Sequence, residues 1–516
     1  MWLRRSPPYR CSRVALDLDT YRERAERFLE ALDRAYYRHL AGLEPELEIE
    51  PVYAEHGELF ERDTVLALRE AREAAGVERP GLGRLLQFAL EGHLGLRTRR
   101  EAEECARLEA SLEVEVAGAR HPYRGVPVLL ANEPDAGRRA ELEAARNVLL
   151  AEPLGPLQRA ALERAHDIVR DLGWPSYAAA FADLRGFDLE ALRAEAEGLL
   201  EGTADAYGAS LAPELRAAGL PPLGELRRSD LPRFFRAPAL DGPFTVERLV
   251  RCFSETLAGM GIDLDAQSNV HLDTERRPTK SPRAFCATPR VPDEIYLVIA
   301  PAGGREDFAA LFHEGGHAEH YAHVDPGLAF EDRRLGDNTV TESFAFLFEH
   351  LTEDAEWLRR RLGVTDPEPI RAHARAVLVL MLRRYAAKLG YELELHGAAS
   401  DLDAMPRRYS ELLGAATRVE WPDASWLADV DEGFYVACYL RAWALELRWR
   451  AALRERFGEL WFEDRGAADW LRGLWRQGQG ASGEELLAEA TGERLTLSTL
   501  TAELAPDPLV PLPWPG

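Results

Sequence analysis

Residues 312–320 read FHEGGHAEH, and within them His313, Glu314 and His317 form the pattern His-Glu-x-x-His. On an α-helix, residues four apart lie on one face, so both imidazoles can reach one tetrahedral metal ion. Glu314, the next residue round the helix, can reach a water on that ion without binding the metal itself. The pattern therefore predicts a helix that carries a zinc site, with Glu314 as the general base.

Two adjacent glycines, Gly315 and Gly316, lie inside this predicted helix. Together they cost roughly 2 kcal/mol of helix stability relative to two alanines. A chance match to the motif, on the order of a few per cent in a chain of this size and composition, is the alternative interpretation. The glycines argue against it, because they indicate that another part of the chain must approach this helix closely.

A catalytic zinc ion needs a third protein ligand, and the segment NTVTESFAFLFEHL (338–351) offers one. Glu342 follows His317 by about 25 residues and begins a largely apolar helical pattern. We predict that Glu342 is the third ligand; the alternative is an acid that favours the start of a helix. Glu349, two turns on, and His320, one turn after His317, are predicted to orient the ligands, although a solvated acid and a core histidine fit equally well.

The rest of the sequence is mainly helical by its periodicity, with strand signals in one region. Helical patterns cover residues 19–42, 62–75, 98–115, 135–151, 156–172, 188–219 (with a break expected at Gly202 or Gly208) and 305–324. Short strands are predicted at 269–273, 283–289 and 294–301, and the Pro-rich tail at 505–516 is expected to be extended. The fold class is therefore mainly α with a small β-sheet.

The charge and cysteine content exclude several classes of function. The 516 residues include 88 acidic and 63 basic side chains, and a net charge of −25 repels nucleic acid. The five cysteines are scattered without a C-x-x-C pair, which favours a reducing compartment. No run of about 18 uncharged apolar residues is present, so we expect a cytoplasmic protein without membrane contact. The sequence does not indicate an oligomeric state.

The spacing of these motifs resembles a known family. The pattern His-Glu-x-Gly-His-x-x-His, followed by two glutamates seven residues apart, is similar to the thimet oligopeptidase, neurolysin and oligoendopeptidase F family of zinc metallopeptidases, which are gluzincins. KSPRAFC (280–286), an apolar strand at 294–300 and then DFAALFHEGGH follow the order of elements in that family. The resemblance covers roughly residues 265–445.

This resemblance implies an architecture and a cofactor. We expect two helical lobes that flank a deep substrate channel, with the small sheet beside the zinc-binding helices. One zinc ion per chain would be held by His313, His317 and Glu342. In the family, the strand before the zinc helix lines the substrate cleft, and an exposed strand edge can hold an extended peptide.

We also expect three regions along the chain. They are an N-terminal helical lobe at 1–230, a catalytic region at 231–460, and C-terminal helices with the Pro-rich tail at 461–516.

The segment DEGFYVACYLRAW (431–443) is similar to a family stretch whose tyrosines hydrogen-bond the developing oxyanion and the substrate. By position these tyrosines are Tyr435 and Tyr439, which share a helix face. The match departs in two places: no histidine precedes Tyr435 within the segment, and a further expected tyrosine is replaced by Ala442. Arg441 is therefore predicted to bind substrate in place of the missing groups.

Three functions fit the sequence. The first is a zinc metallopeptidase that hydrolyses internal bonds of short peptides, with Glu314 as general base. The second is a zinc exopeptidase or another amidohydrolase, since the family histidine is absent. The third is a peptide-binding protein that has kept the zinc site but has weak or no turnover.

Overall fold

The computed structural model describes residues 16–76 and 81–504, and within these ranges the chain is mainly helical, as predicted. The α-helices are α1 Leu18–Leu40, α2 Glu50–His56, α3 Arg62–Ala75, α4 Gly81–Ser111, α5 Val126–Asn132, α6 Ala136–Leu149, α7 Gly155–Asp171, α8 Tyr177–Leu184, α9 Leu189–Gly202, α10 Ala204–Ala217, α11 Leu231–Arg236, α12 Val246–Gly259, α13 Arg305–Ala322, α14 Phe330–Arg334, α15 Asn338–Leu351, α16 Ala355–Trp357, α17 Glu368–Leu395, α18 Met405–Thr417, α19 Tyr435–Phe457, α20 Arg465–Trp475, α21 Gly483–Thr491 and α22 Ser498–Leu504. None of them is both long and apolar enough to cross a bilayer. The predicted extended tail at 505–516 lies outside the described residues.

The predicted helices are present, and the largest difference in their bounds concerns the pattern at 98–115. The pattern at 188–219 forms α9 and α10, which meet at Thr203, so the break beside Gly202 is confirmed. The helix predicted at 98–115 is wrong at both ends, because α4 begins at Gly81 and stops at Ser111. The residues that follow, EVEV, alternate in burial, which is the period of a strand and not of a helix.

These residues belong to a hairpin that the sequence reading missed. Strands β1 Glu113–Val116 and β2 Ala119–Pro122 pair in antiparallel register. The turn between them consists of Ala117 (φ 50°) and Gly118 (φ 78°). Two consecutive left-handed residues are typical of the two-residue turn that matches the twist of a hairpin, and alanine is an uncommon choice there.

The three predicted strands form the second sheet. They are β3 Val270–Asp273, β4 Phe285–Arg290 and β5 Glu294–Val298, in the order β3–β5–β4. β3 runs parallel to β5, whereas β4 is antiparallel to it. The strand that precedes α13 is therefore the central strand, and the expectation that it offers a free edge is wrong. Of the two outer strands among the described residues, β4 contacts α13, through the Cys286 N–H and Glu314.

Two hydrophobic cores organise the helices into two lobes. One core joins α1, α3, α4 and α7–α11 to α17, α18, α22 and the first half of α19. The other joins α12, the three-stranded sheet, α13, α15, α20, α21 and the second half of α19. The lobes thus draw on interleaved segments of the chain, with α19 shared between them. The limits near residues 230 and 460 stay a prediction.

Gly316 allows α13 to pack directly on the backbone of α15, and Gly315 leaves room for a side chain of α12. A Cβ atom at Gly316 would lie 2.5 Å from the Phe344 carbonyl oxygen and 2.7 Å from Ala345 Cα. A Cβ atom at Gly315 would lie 2.4 Å from the Phe253 ring. The close approach predicted from the two glycines is confirmed, and it sets the distance between the helices that carry the candidate ligands.

Replacement of Gly316 by alanine is expected to lower the free energy of unfolding by about 1–3 kcal/mol, because a backbone neighbour cannot move aside. Gly390→Ala in α17 is the matched control, since no heavy atom lies within 4 Å of its Cβ position. That control should be neutral or stabilising by up to about 1 kcal/mol. Urea unfolding followed by circular dichroism compares them, and equal stability of the two variants would refute the close packing.

Candidate metal centre

Helices α13 and α15 bring three potential metal ligands together. The Nε2 atoms of His313 and His317 lie 3.6 Å and 3.8 Å from Glu342 Oε2. Ligand atoms of all three residues lie within 4.8 Å of one another. The two imidazole rings are nearly perpendicular, at an interplanar angle of 82°. One ion could therefore contact both nitrogens and the carboxylate.

Neighbouring side chains fix the orientation of both histidines. His313 Nδ1 donates a hydrogen bond to Glu349 Oε2 at 2.8 Å, and His317 Nδ1 lies 2.8 Å from Thr341 Oγ1. With the Nδ1 atoms engaged, the Nε2 atoms are left to face Glu342, which is how metal-binding histidines are commonly held. Glu349 thus lies beside His313, the candidate ligand that it was predicted to orient. Thr341 was missed, although it directly precedes Glu342 in the chain.

The carboxylate of Glu342 has one satisfied and one unsatisfied oxygen. Its Oε1 accepts a hydrogen bond of 2.6 Å from the Tyr435 hydroxyl. Its Oε2 is buried and has no hydrogen-bond partner among the described residues. A buried carboxylate oxygen without a partner is costly. Since Oε2 faces two imidazole nitrogens, this donor set fits a divalent cation of the zinc type.

The charges around the site also favour a cation. Burial lowers the pKa of His317 well below its ordinary value, so this imidazole is neutral and able to ligate. Burial also acts to lower the pKa of His313, but the Glu349 hydrogen bond and the nearby carboxylates outweigh it and raise that pKa to about 9. His313 is therefore protonated at neutral pH in the metal-free site, and it would release this proton when its nitrogen binds a cation.

Glu314 stands beside the ligand cluster and is held by strand β4. Its Oε2 accepts a hydrogen bond of 2.9 Å from the backbone N–H of Cys286. Burial raises the pKa of Glu314 to about 7, although His313 and the Cys286 N–H oppose the shift. A carboxylate with a pKa near neutrality is well suited to accept a proton and to return it.

A cavity of about 820 Å³ opens beside the site, and its lining includes His313, Glu349, Tyr385 and Tyr439. Its walls come from α13, α15, α17, α19 and α22. Tyr439 packs against the rings of Tyr435 and Tyr385, at centroid distances of 5.0 Å and 5.5 Å. The Tyr435 hydroxyl is engaged by Glu342, whereas that of Tyr439 has no hydrogen-bond partner among the described residues. The two tyrosines therefore lie together, but Tyr439 lines the cavity, whereas Tyr435 contacts the candidate ligand Glu342.

The position of Arg441 contradicts the predicted contact with substrate. Its guanidinium is buried and donates to Asp337 and to Thr339 at 3.0 Å and 2.6 Å, and it also pairs with Glu484. Its donors are occupied, and it does not line the cavity. The physical reason is helical geometry, because residues two apart, such as Tyr439 and Arg441, point to different faces.

His320 is placed apart from the ligands as well. It is fully buried, and its Nε2 lies 3.3 Å from the Gly478 carbonyl oxygen. It makes no hydrogen bond to His313, His317 or Glu342 among the described residues. Its ring packs on Phe344 and Tyr321, as a core histidine does.

The segment that lacks the family histidine is held by ion pairs. Asp431 Oδ2 lies 2.8 Å from Lys388 Nζ, and Asp429 pairs with Arg384. Tyr385, on α17, packs against Tyr439 with a distance of 5.5 Å between the ring centroids. No motif marks Tyr385 in the sequence, so only the packing of α17 against α19 identifies it as a cavity residue.

Comparisons with known proteins support this architecture. No protein-family model matches the chain, and no curated protein matches it in sequence. Among solved structures, an oligoendopeptidase F from Bacillus anthracis strain Ames has a TM-score of 0.59 at 13% identity, over 95% of this chain and 85% of that one. A Pyrococcus furiosus carboxypeptidase, in its Apo-Mg form, also has a TM-score of 0.59, at 15% identity, over 94% and 98% of the two chains. The chain therefore shares its fold with these two peptidase structures along nearly its whole described length.

Proposed function

We propose that the chain is a zinc metallopeptidase that hydrolyses internal bonds of short peptides. The observation that supports this most strongly is the unpartnered Glu342 Oε2, which faces two imidazole nitrogens beside Glu314. The two structural neighbours are described as peptidases, which supports the same class of reaction. Short peptides are the expected partners, because the cavity beside the site, about 820 Å³, is far too small for a folded protein.

The roles of the residues follow from their positions. His313, His317 and Glu342 would hold the zinc ion, which when bound supplies Lewis acidity that polarises a carbonyl and lowers the pKa of water. Glu314 takes the proton of the attacking water and then gives it to the leaving amine. The backbone N–H of Cys286 holds the Glu314 carboxylate in place between these two steps.

The two tyrosines of α19 have different proposed roles. Tyr439 presents an unengaged hydroxyl to the cavity, so it can donate a hydrogen bond to the substrate carbonyl oxygen as negative charge develops there. Tyr435 donates to Glu342 Oε1 and so fixes the orientation of the third ligand. Tyr385 packs edge-on against Tyr439 and restricts its ring.

The outer edge of β4 is a candidate surface for the peptide backbone. The Cys286 N–H points away from β5 and toward Glu314, which places this edge at the site. Arg334 donates to the Thr288 carbonyl at 2.9 Å and Glu314 accepts from the Cys286 N–H, so a peptide would pair with the remaining outward groups of residues 284–287. An extended peptide paired there would pass Glu314 with its carbonyl groups in a fixed register.

Replacement of Tyr439 by phenylalanine is expected to lower kcat by roughly 10²-fold with little change in KM, because the lost hydrogen bond forms only as charge develops. Tyr435→Phe should act differently, since it removes the partner of Glu342 Oε1 and so weakens zinc binding. Steady-state kinetics at saturating zinc and zinc titration of each variant check this. The same defect in both variants would contradict the division of roles.

An exopeptidase is the second candidate, and the carboxypeptidase among the structural neighbours favours testing it. The test uses one peptide with both ends free and the same peptide acetylated at the N-terminus and amidated at the C-terminus. An endopeptidase cuts both peptides at internal bonds, whereas an exopeptidase leaves the blocked peptide intact. Binding of both peptides without cleavage of either would favour a peptide-binding protein with weak or no turnover.

A further inference from the structure

A second, smaller cavity adjoins the large one. Its volume is about 230 Å³, and Phe235 and Met381 line both cavities. On α17, Tyr385 lines the large cavity, while its neighbour Arg384 lines the small one. The small cavity therefore lies next to the space in which the proposed substrate would bind.

The small cavity is positively charged, in contrast to the chain as a whole. Its lining includes Arg146, Arg228 and Arg384 but a single acid, Asp429. This local excess of positive charge stands out in a chain whose net charge is −25. The remaining walls are aromatic, aliphatic or small, and they include Tyr409.

Nearby carboxylates already pair with two of the three arginines. Arg384 pairs with Asp429, whose second oxygen accepts a hydrogen bond of 2.8 Å from the Tyr409 hydroxyl. Arg228 Nη1 lies 2.8 Å from Glu143 Oε1. Both oxygens of Asp429 are thus engaged, and no ion pair joins Glu143 to Arg146, although these two residues lie three apart on α6.

Arg146 is the arginine that lacks an acceptor. It makes no ion pair with any described residue, and its Nε is buried without a hydrogen-bond partner. Its guanidinium lies over the Tyr123 ring at 5.1 Å, and the side chain is half-buried. A partly desolvated guanidinium without an anion is unfavourable, so this site is short of one negative group.

We propose that this small cavity binds a carboxylate of the peptide substrate, with Arg146 as the principal contact. This inference rests on the proposed peptidase function. A carboxylate fits because the planar guanidinium donates two parallel hydrogen bonds to it, and because the cavity volume suits one chain end or one side chain. The two sources of that carboxylate are the C-terminus of the peptide and an acidic side chain near it.

The experiment compares three peptides of one length on the zinc-loaded Glu314→Gln protein, in which the proposed turnover is blocked. The first peptide has a free C-terminal carboxylate, the second is its amide, and the third is the amide with glutamate as its last residue. Isothermal titration calorimetry gives each Kd. If the cavity binds the C-terminal carboxylate, we expect the amide to bind at least about 10-fold more weakly than the free acid. If it binds an acidic side chain, we expect the amide to bind at least about 10-fold more weakly than the glutamate peptide.

Variants in the same background assign the effect to Arg146. Arg146→Gln should bring the ratio of the Kd of the amide to the Kd of the preferred carboxylate peptide close to one. Arg146→Lys should keep part of the preference, because lysine retains the charge but not the paired donors. Arg251→Gln is the control, since Arg251 is exposed on α12 and its replacement changes the charge by the same amount. Circular dichroism melting of each variant excludes loss of folding as the cause.

The outcomes separate this inference from the proposed function. Equal binding of all three peptides to the Glu314→Gln protein would overturn the carboxylate site while leaving peptide binding in place. A preference for the carboxylate peptide that persists after Arg146→Gln would overturn the site as well. Wild-type protein that fails to cleave any of the peptides, although the preference is present and depends on Arg146, would overturn the peptidase function alone. Failure of every peptide to bind would overturn both.

Discussion

Replacement of Glu314 by glutamine is expected to lower kcat for peptide hydrolysis by about 10²–10⁴-fold, the range typical of a lost general base. Glutamine keeps the size of the side chain and can still contact the Cys286 N–H, but it cannot accept a proton from water. Zinc content should be unchanged, since Glu314 contributes no ligand atom to the cluster formed by His313, His317 and Glu342.

The measurement is steady-state cleavage of a fluorogenic peptide together with the metal content of the purified variant. Glu306→Gln is a suitable control, because Glu306 is an exposed acid in the first turn of the same helix. Activity that falls equally in both variants, or zinc that is lost from Glu314→Gln, would show that the assigned role is wrong.

Replacement of Glu342 by glutamine is expected to weaken zinc binding by more than the 10–100-fold typical of a residue that only contacts a ligand, and to abolish activity at limiting zinc. Glu349→Gln gives the comparison, since Glu349 contacts His313 and is not a ligand in our assignment. We expect about 10–100-fold weaker binding for that variant.

Competition with a chelating dye measures both affinities, and thermal unfolding of the metal-free proteins adds a second test. Without metal, Glu342→Gln removes a buried carboxylate whose Oε2 has no partner, so its Tm should not fall. Zinc affinity equal to that of the wild type would contradict Glu342 as the third ligand, as would a smaller loss than in Glu349→Gln.

The sequence was most informative where local geometry alone determines position. His313 and His317 lie four residues apart, so any helix through them places both imidazoles on one face. The glycine pair indicated a close neighbour, and the packing of α13 on α15 supplied it. The helix Arg62–Ala75 agrees with the pattern at 62–75, whereas α15 begins at Asn338, one turn before Glu342, where the apolar helical pattern was expected to begin.

Contacts between distant segments could not be predicted in this way. Thr341, Tyr385 and the Cys286 N–H reach the site through the packing of α15, α17 and β4, and no spacing rule relates them to the motif. Arg441 was a different error, because the helical period already places it away from Tyr439. The central position of β5 depends on its pairing with β3 and β4, which its own residues do not encode.

The most direct test of zinc-dependent hydrolysis with Glu314 as the base is a digest of a mixed short-peptide library by the metal-free chain, before and after one equivalent of zinc, with Glu314→Gln treated in parallel. Mass spectrometry identifies every cut. We expect no cleavage without metal, internal cuts after zinc is added, and cleavage about 10²–10⁴-fold slower by the zinc-loaded variant. Full cleavage without metal, or none by a wild-type chain that has bound its zinc, would contradict this mechanism.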